Sequence, residues 1–451
     1  MSGFIFPEGD SSSFALDITL SNLKLNLLQP YISIITSRMS GLVSGSLQLR
    51  GSASRPQLSG RLMARRASIL IDYLNEEYSF THEIIVTPGG FEAQELELFD
   101  SYGQKALFDG GLYHENFRDL RVDFSVKPER FSVLNTTQSQ NELFYGKGRA
   151  TGTARFSGPV DDLLMEIRAT TEKGTRIHIP INYDAEVSER GYITFVEAGF
   201  KEEEQPANDG SLSGLRMDFE LNATPDAEVE INLPSRMGII QGKGQGNLRF
   251  NIDTRGDFNM YGDYEISEGF FDMTLQNLLS RRFELRKGGT IRWNGDPYAA
   301  DLAITAVYKV RASLVGLIPG GDSSGVYRQR VPVNCVIRLS DDLMSPRIRF
   351  AFELPESSEE INRIVFSQID TTNEALMSRQ MISLLVLNSF ISEEGTGSLA
   401  SGVSASSFEL LSMQLSNWLS QISQDFDIGV HYRPGDQMTN EELELALTTQ
   451  V

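Results

Sequence analysis

Leu248, Phe250 and Ile252 alternate with Arg249, Asn251 and Asp253, and this two-residue period recurs along most of the chain. A strand sends successive side chains to opposite faces of its sheet, so each such segment has one dry face and one wet face. The same pattern runs through Phe14, Leu16, Ile18 and Leu20, through Leu215, Met217, Phe219 and Leu221, through Ala227, Val229, Ile231 and Leu233, and through Ile348, Phe350, Phe352 and Leu354. Gly, Pro, Asn or Asp bounds each run. Roughly twenty strands are needed to use this length at ordinary strand and turn sizes. An array that long must hide its apolar face, either by closing into sandwiches or by curling into a half-pipe. No clear linker interrupts Phe14 to Leu354, so the expectation is a mainly β fold. It is a long curled antiparallel or mixed sheet, forming an open half-pipe with an apolar interior over residues 1–355.

Three stretches repeat a hairpin grammar at irregular intervals: Gly41 to Leu62, Gly146 to Ala169 and Gly242 to Ile266. Each has spaced glycines, a strand, a Gly-centred turn and a second strand, with glycine supplying positive φ at the turns. After Pro355 the pattern changes. Ser357 with Glu360, and Thr371 with Glu374, are capping-box pairs ahead of helical periods. A third helix is expected from Phe408, Leu411, Leu415, Trp418, Leu419, Ile422 and Phe426, which step by three and four. Residues 356–426 thus read as a helical insertion of about three α-helices, with a Gly/Ser linker over Glu393 to Ser406. Residues 427–451 return to strand. Leu443, Leu445 and Leu447 run to Val451 without a closing partner, which suggests a fragment of a longer protein.

The chain carries 40 basic and 61 acidic residues, a net charge of −21. That field repels nucleic acid and anionic headgroups. The single cysteine, Cys335, reads as a core residue, and His82, His114, His178 and His431 stand in no metal-ligand spacing. No metal or cofactor is expected. The longest apolar run, Ile382 to Ile391, is too short for a membrane span of about 20 residues. "GDSSG" at Gly321 to Gly325 matches a nucleophile-elbow pattern, but a strand pattern follows Ser323 where the elbow needs a helix. "GKGRATG" and "GKGQG" lack the spacing of a phosphate loop, and "KEEEQ" at Lys201 to Gln205 is a solvated loop. Nothing here reads as an enzyme.

The ordered series "LKLNLLQPYI", "GLVSGSLQLRGSASRPQLSGRL", "YLNEEYSF", "GYITFV", "GDFNMYGDYEISEGFFDMTLQNLLSRRFELRKGGTIRWNGDPYAADLAITAVY", "VYRQRVPVNCVIRLSDDLMSPRIRFAFELP" and "LSNWLSQISQDFDIGVHYRPGD" resembles the C-terminal region of TamB proteins, of the AsmA-like, bridge-type lipid transfer group. The most specific stretch is Gly256 to Pro434. The resemblance implies a periplasmic half-pipe of the β-taco kind, bridging inner and outer membranes as part of a translocation and assembly module. It implies an inner-membrane anchor N-terminal to this fragment. The implied partners are phospholipid acyl chains and an Omp85-type outer-membrane barrel, TamA-like or BamA-like.

The dry face then becomes a place for lipid tails. Candidate groove residues are Leu215, Met217, Phe219, Leu221, Ala227, Val229, Ile231, Leu248, Phe250, Ile252, Ile348, Phe350 and Phe352. Phe408, Leu411, Leu415, Trp418, Leu419 and Ile422 are candidates for docking a helix on the sheet, a membrane or a partner. The competing reading is an outer-membrane protein assembly factor that pairs strand edges with a barrel.

Overall fold

The computed structural model describes residues 2–6, 13–31, 36–52, 55–141, 144–180, 215–233, 238–253, 257–275, 279–297, 299–317, 330–343, 346–391, 427–433 and 442–448. The described strands form one 21-stranded sheet and one two-stranded sheet. The chain divides into two compact units. Unit 1 takes Met1–Ile179, Tyr183–Glu228 and Gly246–Gly262; unit 2 takes Pro180–Asn182, Val229–Gln245 and Asp263–Val451.

In unit 1 the strands β1 (Ser2–Phe6), β2 (Ser13–Lys24), β3 (Met39–Ser52) and β4 (Arg55–Ile71) are antiparallel neighbours in chain order. The ladder continues through β5 (Glu76–Thr87), β6 (Gly90–Phe99), β7 (Lys105–Glu115) and β8 (Arg118–Pro128). Next, β8 and β9 (Phe131–Thr136) pair with successive stretches of β10 (Tyr145–Pro159), while β11 (Leu164–Thr171) and β12 (Arg176–Pro180) also pair with it. β13 (Arg216–Ala223) runs parallel to β11, which makes the sheet mixed. β14 (Glu228–Leu233) lies in unit 2 from Val229 onward, and β15 (Gly238–Asp253) pairs antiparallel with β13 through Gly246–Asp253, within unit 1.

Two local devices bury parts of unit 1. The 3-10 helix Leu25–Tyr31 sets Leu25 on Val43, Ala64 and Ala67. At the β5–β9 seam the Tyr78 ring stacks on Phe131 at 4.9 Å, and the Tyr78 hydroxyl donates to the Ser132 carbonyl at 3.0 Å. Ser132 Oγ donates to Glu76 at 2.5 Å, and Ser132 N–H donates to Asp100 Oδ2 at 2.8 Å. Loss of hydration raises the Glu76 carboxyl above its ordinary range, and the same burial raises the Tyr78 phenol. A buried carboxylate persists only with such partners.

In unit 2, β17 (Leu279–Leu285) pairs with β16 (Asp257–Leu275) and with β19 (Asp301–Ser313), which also takes β18 (Thr290–Gly295). β20 (Arg330–Asp342) and β21 (Arg347–Glu353) complete this ladder. Helices α1 (Glu359–Gln368) and α2 (Glu374–Leu387) belong to the same hydrophobic cluster as these strands. Val333 and Ile337 are 1% exposed, Cys335 and Leu384 0%, and Phe390 1%. These residues form a closed, buried cluster, and their burial pushes the Cys335 thiol up to about 12.

Four expectations need adjusting. Ser358, not Ser357, caps α1, its Oγ accepting from Ile361 N–H at 3.3 Å. Asn373, not Thr371, caps α2, its Oδ1 accepting from Leu376 N–H at 3.2 Å. The strand over Leu443 to Leu447 is partnered: β22 (Asp427–Arg433) pairs antiparallel with β23 (Glu442–Thr448). The glycines of "GKGRATG" and "GKGQG" lie within β10 and β15, not at turns. Two α-helices occur among the described residues, and the helix expected over 408–426 lies outside them, as does Ser323.

Candidate functional site

The strand registers of unit 1 assemble apolar residues into rows that run across the strands. One row reads Leu96, Phe108, Val126, Ala154, Ile167, Phe219 and Phe250, one residue from each of β6, β7, β8, β10, β11, β13 and β15. Directly paired residues share a face, so all seven side chains lie on one side of the sheet. A second row on that side, beyond the one through Gly110 and Phe124, reads Ile18, Leu47, Gly60, Val86, Phe91, Leu112 and Val122. Apart from Leu96, Leu47 and Val86, the side chains of these rows are only half-buried.

Bulges keep the rows apolar. Along β6, Ala93 to Leu96 advances three positions while the partners Gly110 to Phe108 advance two. Without the extra residue, Glu95 would take the place of Leu96 opposite Phe108. Glu95 instead adopts φ 52°, and its N–H donates to Asp109 Oδ1 at 2.6 Å. The same device recurs at Asn22 before Leu23, with φ 53° and an N–H to Ser44 Oγ at 3.0 Å. It recurs at Arg66 before Ala67, with φ 48° and an N–H to Thr81 Oγ1 at 3.0 Å. It recurs again at Arg130 before Phe131, with φ 50° and an N–H to Thr151 Oγ1 at 2.9 Å. At each slip a polar residue is turned aside and an apolar one follows.

The opposite face is wet and charged. Arg155 pairs with Asp123 at 3.1 Å, and Glu220 accepts from Arg168 and Arg249, both at 3.1 Å. Asn251 donates to Asp218 at 2.6 Å. These exposed pairs contribute little stability each, but like charges opposite one another would cost.

Aromatic rings concentrate on the dry face. Phe124 stacks on Phe108 at 5.1 Å and on Phe156 at 4.6 Å, and Phe219 stacks on Phe250 at 5.4 Å. An open depression of about 840 Å³ is lined mostly by polar residues of the opposite face, among them Thr151, Thr153, Arg168, Glu220, Asn222 and Arg249, at the level of Gly152, Ala169, Leu221 and Leu248. Gly152 is required there: a Cβ would meet Arg168 O at 2.0 Å and Ala169 Cα at 2.9 Å.

The groove candidates fall into two environments. Met217, Phe219 and Leu221 on β13 pair in register with Ile252, Phe250 and Leu248 on β15, all within unit 1. Leu215 is half-buried just before β13, and Ala227 is buried in the turn before β14. Val229 and Ile231 are half-buried on β14 in unit 2. Ile348, Phe350 and Phe352 line β21 within the cluster that includes the helices, with Phe352 stacked on Phe366 at 5.4 Å and edge-on to Phe390 at 5.2 Å. The docking candidates Phe408, Leu411, Leu415, Trp418, Leu419 and Ile422 lie outside the described residues. Sequence reasoning did not select Ile167, Phe156, Val126, Phe124, Phe108 or Leu96, although "VDFSV" at Val122 to Val126 carries the same alternation.

His114 is occupied locally, stacked on Phe117 at 4.3 Å, and His178 stacks on Tyr145 at 4.9 Å. Among the described residues no cluster of His, Cys, Asp or Glu has the make-up of a metal site, and no helix is long and apolar enough to cross a membrane. A family model described as the TamB C-terminal domain matches residues 92–451. No curated protein matches the chain.

Proposed function

We propose, from the premise that this chain belongs to the TamB C-terminal domain family, that the dry face of unit 1 holds phospholipid acyl chains and passes them between the inner and outer membranes. The family is envelope-spanning, relates to the translocation and assembly module and partners an Omp85-type protein, TamA. Lipid as the cargo, the apolar half-pipe and the periplasm as the place of action are our reading.

One observation carries it: a row of seven apolar residues crosses seven strands and stays mostly half-buried. Six intervals at about 4.8 Å give roughly 29 Å of track. One leaflet contributes about half of a hydrocarbon core of roughly 30 Å, so the track exceeds one tail. Each methylene taken out of water is worth about 0.8 kcal/mol. Since consecutive rungs are alike, a tail that slides by one rung exchanges equivalent contacts. Holding and moving then need no catalytic group, and the headgroup stays in water.

The test is purification from membrane-containing cells under mild conditions, with mass spectrometry of the bound lipid, beside Phe250→Glu. Stoichiometric phospholipid on the native chain that falls several-fold in a folded Phe250→Glu protein is the expected result. A folded, lipid-free native chain would overturn the reading.

A second reading, assembly of outer-membrane proteins by strand pairing, draws on the two-stranded sheet of β22 and β23, which is separate from the larger sheet among the described strands. Unpaired edges are templates for another strand. Removing residues 427–451 separates the two: barrel capture is lost under strand pairing, while bound lipid is kept under the groove reading.

A further inference from the structure

We propose that α1 and α2 act as a built-in occupant that closes the apolar face of unit 2 to acyl chains, so that lipid is held on the unit 1 face; this rests on the groove reading above. Both units carry the same strand alternation, and they differ in cover. Phe219 and Phe250 on unit 1 are half-buried, whereas Val333 and Ile337 on unit 2 are 1% exposed and Cys335 0%. The cover on unit 2 comes from the chain itself: Val365, Met381, Leu384, Leu385 and Phe390 join the cluster of β19, β20 and β21. Five consecutive residues of α2, Met381 to Leu385, are buried, so this helix is enclosed rather than laid on a surface. A tail seated on Val333 and Ile337 would have to displace it.

The cover is held by a compact latch. Arg281 on β17 donates twice to the Leu385 carbonyl, at 3.1 and 2.7 Å, which satisfies an acceptor left open by the last turn of α2. Ser313 N–H donates to Asn388 O at 3.0 Å and Phe390 N–H donates back to Ser313 O at 3.1 Å, stitching the segment after α2 to the end of β19. Gln380, 4% exposed, accepts from Ile391 N–H at 3.1 Å, and its side-chain amide donates to the Ile391 carbonyl. Most of these bonds are made by the end of α2 and the residues that follow it. Breaking them frees the cover without altering the strand face beneath.

The experiment places p-benzoyl-phenylalanine at the half-buried Phe250 or at Phe352, which is 6% exposed beneath Phe366 and Phe390, and photolyses the full chain with radiolabelled phosphatidylethanolamine vesicles. Lipid labelling at position 250, with at least tenfold less at position 352, is expected. In a latch variant, Arg281→Ala with Gln380→Ala, labelling at position 352 should rise several-fold once hydrogen exchange shows α2 released; Leu384→Glu replaces that variant if the helix stays protected. Equal labelling at both positions in the native chain overturns the closure and leaves the groove reading standing. No gain at position 352 after release of α2 also overturns it. No labelling at either position overturns the groove reading, and the closure with it.

Discussion

Phe219 and Phe250 sit directly opposite one another on β13 and β15, with ring centroids 5.4 Å apart and planes 24° from parallel. Offset aromatic pairs of this kind couple by about 0.5–1.5 kcal/mol beyond their buried area. A double-mutant cycle with Phe219→Ala and Phe250→Ala, read by chemical denaturation, should give a coupling of about 0.5 kcal/mol, near the lower end because the pair is only half-buried. Strict additivity would mean that the rings do not meet in solution.

Glu76 ties the stability of the β5–β9 seam to pH. Its folded-state pKa lies above the ordinary value of 4.5, chiefly through loss of hydration, so the folded state holds this proton more tightly than the unfolded state. The stability gained is fully present below the unfolded value and is lost as pH rises through the folded one. Glu76→Gln keeps an acceptor for Ser132 Oγ and removes the titration. Thermal melts should show the variant at least as stable as the native chain at neutral pH, with the difference closing toward pH 4.5. A difference that widens on acidification would contradict this sign.

The Cys335 thiol is 0% exposed and raised to about 12, which withholds the reactive thiolate. Maleimide labelling of the native chain should therefore be slower by orders of magnitude than after denaturation, and its rate should follow opening of the core of unit 2. Prompt stoichiometric labelling of the folded chain would show that core to be open.

Ser358 and Ser357 stand side by side but do different things. Ser358→Ala removes the acceptor for Ile361 N–H and should cost about 1 kcal/mol. Ser357 Oγ is buried with no hydrogen-bond partner among the described residues, so Ser357→Ala should be neutral or slightly stabilising. Equilibrium unfolding of the two variants distinguishes them, and a larger loss for Ser357→Ala would move the cap.

Strand character was legible because its period is local: Leu248, Phe250 and Ile252 declare a dry face without reference to any other segment. The sequence reading also reached the partners Met217, Phe219 and Leu221, whose alternation is equally clean. It could not reach the row as a row. That Ile167 meets Phe219 depends on a parallel pairing of β11 with β13, two strands about fifty positions apart in sequence, and no local pattern encodes such a register. The helices illustrate a second limit. Their existence was readable from the change of period after Pro355, but the enclosure of Phe352 by Phe366 and Phe390 is tertiary. The caps were misplaced by one and two residues because Ser357, Ser358, Thr371 and Asn373 are all chemically able to cap.

The residues at the slips, Asn22, Arg66 and Glu95, act as phase correctors for the sheet, much as an inserted base restores a reading frame. Each stands at the one place in its strand where the count of residues runs ahead of the partner. Deleting Glu95 would bring Leu96 into ordinary pairing with Phe108 and leave everything downstream in phase. Deleting a residue elsewhere in β6 would turn the rest of that strand inside out. Length variation in this sheet should therefore be tolerated one residue at a time at these positions and two at a time elsewhere, so that the dry face stays in frame.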